Sequence, residues 1–107
     1  MKISTVEKSS PSIDDHSFGL LSAKVHLVNV LMRFKKAHLK EFDTLTLRER
    51  EILKLLAEGL NNPAIADRLF ISRRTVETHR KQINRKLGIK HYRDVIKYTL
   101  AFDLVNI

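Results

Sequence analysis

The sequence predicts an all-α protein: a four-helix domain over 44–107, built around a helix-turn-helix and preceded by an extra N-terminal helix. Three observations carry this. Apolar residues recur at helical spacing through most of the chain instead of alternating. Helix start and stop signals come in pairs, with Thr46, Asn62 and Ser72 as N-caps and Gly59 and Gly88 as terminators. Only three Gly and two Pro among 107 residues leave few turn signals for an all-β chain.

Composition narrows the function classes. A length of 107 residues with 43% hydrophobic residues suits one domain with a modest core. Twenty Lys and Arg against twelve acids give a net charge of +8, which favours a polyanionic partner. The absence of cysteine excludes a disulfide framework, a thiolate zinc site and a cysteine nucleophile, and it suits the cytoplasm. The most apolar stretch, 25–34, is broken by His26, Asn29 and Arg33. It is too short to span a bilayer and too far into the chain for a signal peptide, so no membrane partner is expected.

In chain order, residues 1–21 are Ser-rich without a sustained period and read as a flexible tail. Residues 22–43 form the N-terminal helix, with Ser22 as its cap. Its apolar positions cover more of the wheel than one packing face needs, which suggests a linker helix or a dimer contact. Thr46 and Glu49 make a capping box for the next helix, with Ile52, Leu55 and Leu56 on its buried stripe and Gly59 at its stop. The short segment 62–69 takes Asn62 as cap and Pro63 at its first position, and points Ile65 and Leu69 inward. Phe70 and Ile71 connect it to the third helix of the domain, 72–88, completing a helix-turn-helix. The last helix, 92–102, is apolar over more than half its wheel. One side should meet its own domain and the other a twin subunit.

The third helix carries the chemistry. At 100° per residue, Val76, Ile83 and Leu87 lie within about 20° of one line, and Arg74, Thr78, Lys81 and Arg85 lie within about 40° of the opposite line. Between residues 71 and 93, Arg73, Arg74, Arg80, Lys81, Arg85, Lys86, Lys90 and Arg93 stand against a single acid, Glu77. Exposed helices normally mix charge signs for i,i+4 pairing, so a face of nearly one sign points to nucleic acid. Glu77 has two readings: an acceptor for cytosine N4, or an early-turn acid favoured by the helix dipole and paired with Lys81.

Leu45-Thr46-x-Arg48-Glu49-Arg50-Glu51-Ile52-Leu53, then Gly59, Asn62, Ile65-Ala66, Leu69, Ile71-Ser72, Thr75-Val76, His79, Ile83 and Lys86-Leu87 resemble the LuxR-type (GerE/FixJ-type) DNA-binding domain of bacterial transcription factors. The resemblance runs from about Leu45 to Phe102. It implies a third helix in the major groove and a fourth that makes a dimer, with Val95, Tyr98 and Phe102 as the expected interface. It implies base-edge contacts at Glu77, Thr78 and Lys81. Positions near phosphates or supporting the helix fall to Arg74, Thr75, His79 and Lys86, and the basic Arg73, Arg85 and Lys90 join the expected phosphate set. This sequence departs from the family's usual residues at Pro63-Ala64 and His91-Tyr92, and at the acidic Glu77. Family members usually carry a receiver or sensor domain upstream. The 44 residues before Leu45 are too few for a receiver, so the chain is a stand-alone member or the C-terminal piece of a longer regulator.

The expectation is a sequence-specific, dimeric regulator of transcription on double-stranded DNA, with RNA polymerase as a candidate further partner. The alternative is a protein-interaction module whose basic helix binds an acidic partner. An RNA binder lacks an exposed aromatic pair for base stacking. His16, His26, His38, His79 and His91 show no metal-ligand spacing, and no nucleophile–base pair or Gly-rich phosphate loop is present. No catalytic residue, metal or cofactor is therefore expected.

Overall fold

The computed structural model describes the backbone of residues 6–102 and the side chains of residues 19–102. Among the described residues the regular structure is five helices and no strand: α1 (Val6–Asp43), α2 (Leu47–Ala57), α3 (Asn62–Leu69), α4 (Arg73–Leu87) and α5 (Tyr92–Ala101). The third helix of the sequence reading is α4. The chain divides into two compact units, Met1–Met32 and Arg33–Ile107.

In the first unit, helix extends where the sequence suggested a flexible tail. It begins at Val6, so Ser22 lies inside α1 instead of capping it. Once the 22–43 segment is helical, extension towards the N-terminus adds hydrogen bonds without a new nucleation cost, save at Pro11, which has no N–H to donate. The remainder of that expected tail, residues 1–5, lies outside the described residues. From Leu20 to Met32 the unit carries Leu20, Leu21, Val25, Leu27, Val28 and Met32 on its surface.

The second unit is assembled around α2, which packs against α3, α4 and α5, while α3 packs on α4. Ile52 and Leu53 of α2, Ile65 of α3, and Val76 and Ile83 of α4 are completely buried. The capping box of α2 is formed as expected: Thr46 Oγ1 accepts from the Glu49 amide (3.1 Å) and Glu49 Oε1 accepts from the Thr46 amide (2.9 Å). Ser72 caps α4 by accepting from the Thr75 amide (3.0 Å), and Gly88 ends it at φ 66°. The cap of α3 is Asn61 and not the expected Asn62. Asn61 Oδ1 accepts from the Ala64 amide (3.1 Å), whereas Asn62 Oδ1 accepts from Arg80 (2.7 Å).

The last turns of α1 close over α5. Phe42 stacks on Phe102 with ring centroids 4.0 Å apart, and Phe34 meets Tyr98 edge-on at 4.8 Å. Asp94 anchors the start of α5 by accepting from the Lys90 and His91 amides, both at 3.1 Å. These two bonds hold its carboxyl below the usual aspartate range. Tyr92 Oη donates to the Ala57 carbonyl (2.6 Å), pinning the same end to α2.

The helix-turn-helix turn rests on an unusual residue. Phe70 is 94% exposed and adopts the left-handed conformation, φ 56°, ψ 44°. A Cβ in that region costs about 1–2 kcal/mol, and the exposed ring regains nothing from packing. Phe70→Gly is therefore expected to raise stability by about 0.5–1 kcal/mol after the glycine's greater unfolded-state entropy is counted. Urea unfolding followed by circular dichroism checks this, and an unchanged or lower midpoint would contradict it.

Candidate nucleic-acid interface

α4 is oriented by what it buries. Val76, Ile83 and Leu87 enter the core, and this turns the opposite face outward. On that face Arg74, Glu77, Thr78 and Lys81 line one open groove of about 330 Å³. All four are exposed. Thr78 Oγ1 donates to the Arg74 carbonyl (3.1 Å), which uses its proton on the helix and leaves its oxygen lone pairs free. The groove thus offers two cations, one carboxylate and one hydroxyl acceptor. The expected base-reading residues Glu77, Thr78 and Lys81 therefore stand together, with Arg74 beside them.

The expected phosphate residues divide. Arg73, Arg74 and Lys90 are exposed. Thr75 is exposed too, but its hydroxyl hydrogen-bonds to Ser72 Oγ (2.9 Å) and belongs to the cap. The Arg85 guanidinium is laid along the helix, donating through Nε (3.1 Å) and Nη2 (2.5 Å) to Gln82 Oε1. His79 is half-buried, on the side where its charge would act on Glu49.

Lys86 is corrected. Its ammonium donates to Glu49 Oε1 (2.8 Å) and to the Thr44 carbonyl (3.0 Å), so its charge is paired inside the fold. Glu49 is 4% exposed. Burial pushes its carboxyl up, but the Lys86 bond, the Thr46 amide and the nearby positive charge outweigh burial and hold it below the usual carboxylate range. The signal for this partner was present in the sequence. Glu49 shares the apolar stripe of α2 with Ile52, Leu53 and Leu56 at i+3, i+4 and i+7, and a carboxylate on such a stripe needs a counter-charge. Arg80, Asp94 and Tyr92 were also missed as structural anchors.

The expected dimer residues are placed by their packing within this chain. Val95 and Tyr98 are 7% and 3% exposed and lie in the chain's own core, while Phe102 is stacked on Phe42. Phe34 and Phe42 at the end of α1 pack on the side of α5 that carries Tyr98 and Phe102. The exposed and half-exposed apolar residues of α5 are instead Tyr92, Ile96 and Leu100, one turn apart along a single stripe.

Among the described residues, no group of His, Asp and Glu could hold a metal ion, and no helix is long and apolar enough to cross a membrane. A short helix, a tight turn and a longer basic helix turned outward by its own core residues define a DNA-binding domain of a transcriptional regulator. The chain belongs to the luxR family of bacterial regulatory proteins (GerE), whose pattern matches residues 43–99. It is similar to the oxygen regulatory protein NreC of Staphylococcus aureus strains JH9, JH1 and Mu3, with 46% identity over 65 residues in each. The match covers 61% of this chain and 30% of each relative, so the chain spans under a third of the length of these relatives.

Because Glu49 is held below its ordinary value of 4.5, its contribution to stability is complete above that pH and is lost as the carboxylate takes up a proton below it. Lys86→Met should lower stability by about 2–4 kcal/mol at neutral pH by leaving this carboxylate buried without its partner. The deficit should shrink as pH falls below 4.5, because without Lys86 burial favours the protonated carboxyl of Glu49. Urea titrations at a series of pH values measure both. A deficit that is the same at pH 3 and pH 7 would place the loss in packing instead of charge.

Proposed function

We propose that this chain binds double-stranded DNA sequence-specifically as a homodimer, with α4 in the major groove. The observation that carries the reading is the groove of Arg74, Glu77, Thr78 and Lys81 on the outward face of a helix whose apolar residues are all buried. The 15-residue α4 is about 22 Å long, and its diameter of about 10–12 Å fits a major groove about 12 Å wide. Glu77, Thr78 and Lys81 read base edges near the helix's N-terminal half, as helix-turn-helix proteins do. Arg73, Arg74 and Lys90 neutralise phosphates, with Thr75, His79 and Arg85 beside them. Twofold pairing through the Tyr92, Ile96 and Leu100 stripe sets two copies of α4 about 34 Å apart, on successive major grooves of an inverted repeat. The matched portion of NreC belongs to a longer oxygen regulatory protein, and this chain would serve as the DNA-reading portion of a comparable cytoplasmic regulator.

If each subunit meets about four to six phosphates, log affinity falls with log salt at a slope near −0.9 per phosphate. Arg74→Ala should weaken selected and random duplexes alike. Anisotropy titrations across a salt series check both statements, and salt-independent binding, or preference for an acidic peptide over duplex, would overturn the DNA reading.

Lys81→Ala should cost about 1–3 kcal/mol on the selected site and relax the preference at one base position. Selection from random duplexes with wild type and variant reads this directly. A uniform loss over all sequences would make Lys81 a phosphate contact.

A further inference from the structure

The surface of α1 in the first unit carries an ordered pattern that DNA reading leaves unused. Leu21, Val25, Val28 and Met32 are spaced four, three and four residues apart, which is the alternation of d and a positions in a heptad repeat. Val25 and Met32 hold a; Leu21 and Val28 hold d. All four are 52–65% exposed. The next d position is Lys35, so the apolar seam stops at Met32, where the first unit also ends. A second apolar row, Leu20, Leu27 and Leu31, is interrupted by Lys24 at the place its own seam would need an apolar residue.

We infer that residues 21–32 of α1 form a parallel, in-register two-stranded coil with the same residues of a second copy of this chain. Four half-exposed side chains of this size leave on the order of 400 Å² of apolar surface per chain, the size of patch that marks an interface. Doubled, it falls at the low end of specific protein contacts, so the coil is a reversible one that a shared DNA duplex reinforces. Val25 at a and Leu21 at d are the choices that favour two strands over three or four, and Met32 and Val28 complete the seam. The flanking e and g positions hold Ser22, Asn29, Lys24 and Leu31. In a parallel pair Lys24 of one copy faces Asn29 of the other, so no like charges meet. The parallel sense rests on the dimeric DNA reading above, because only then does each strand run into its second unit at the same end.

The chain has no cysteine, so single-cysteine variants report the seam without background. Leu21→Cys and Val28→Cys sit at d, where an in-register parallel pair brings each residue against itself. Leu27→Cys lies off the seam. Mild oxidation of the whole chain followed by a non-reducing gel should show disulfide dimers at d at least about tenfold faster than at Leu27, since closeness in the coil raises the effective concentration. Sedimentation of Val25→Asp should show at least about a tenfold weaker dimer than wild type, with helix content retained because the site is exposed. Equal cross-linking at Leu27, or none at either d position, overturns the coil. If wild type binds duplex with a steep salt slope yet fails to cross-link, the coil falls and the DNA reading stands. If it cross-links at d without binding duplex, the coil stands and the DNA reading falls.

Discussion

One buried carboxylate holds the second unit together. Glu49 lies on the apolar stripe of α2, and a charge there is costly unless paired and hydrogen-bonded. It has both kinds of partner: the Thr46 amide at the start of its own helix and the Lys86 ammonium near the end of α4. Lys86 in turn donates to the Thr44 carbonyl in the turn between α1 and α2. One carboxylate thereby fixes where α2 begins, how the preceding turn lies and where the end of α4 sits. The tilt of the groove-lining face follows from that anchor together with the burial of Val76, Ile83 and Leu87.

This division of labour explains why a very basic helix can be both rigid and available. Arg80 is spent on Asn62 at the start of α3, and Lys86 on Glu49 and Thr44. Each bond ties α4 to another helix or turn. Arg73, Arg74 and Lys81 keep their charge in solvent, on and beside the groove. Net charge supplies long-range attraction for a polyanion, but it does not say which cations are free to meet it.

The last turns of α1 reach the same part of α4 through α5. Tyr98 Oη donates to the Leu87 carbonyl (3.1 Å) and lies 3.3 Å from His38 Nδ1. Burial pushes the Tyr98 phenol up, so it stays protonated and keeps its donor. Leu87 is the last residue of α4. The helix that enters the second unit and the helix that faces outward therefore meet at one hydroxyl. Displacing the end of α1 would disturb the position of α4 without any direct contact to its exposed face.

Much of the fold was legible in the sequence because its signals are local. The Thr46–Glu49 box, the Ser72 cap and the Gly88 stop act over three or four residues, and the spacing of Val76, Ile83 and Leu87 alone determined which face of α4 turns outward. Luxr-family membership and the grouping of Glu77, Thr78 and Lys81 came from the same short-range pattern. What only the tertiary structure decided involves partners far apart in the chain. Asn62 went to Arg80, 18 positions away; Glu49 to Lys86, 37 away; and Tyr98 to His38, 60 away. Caps and periodicity constrain dihedral angles and faces. Which buried charge is neutralised by which distant one, and which apolar side of α5 is covered by its own chain, depends on how whole helices dock.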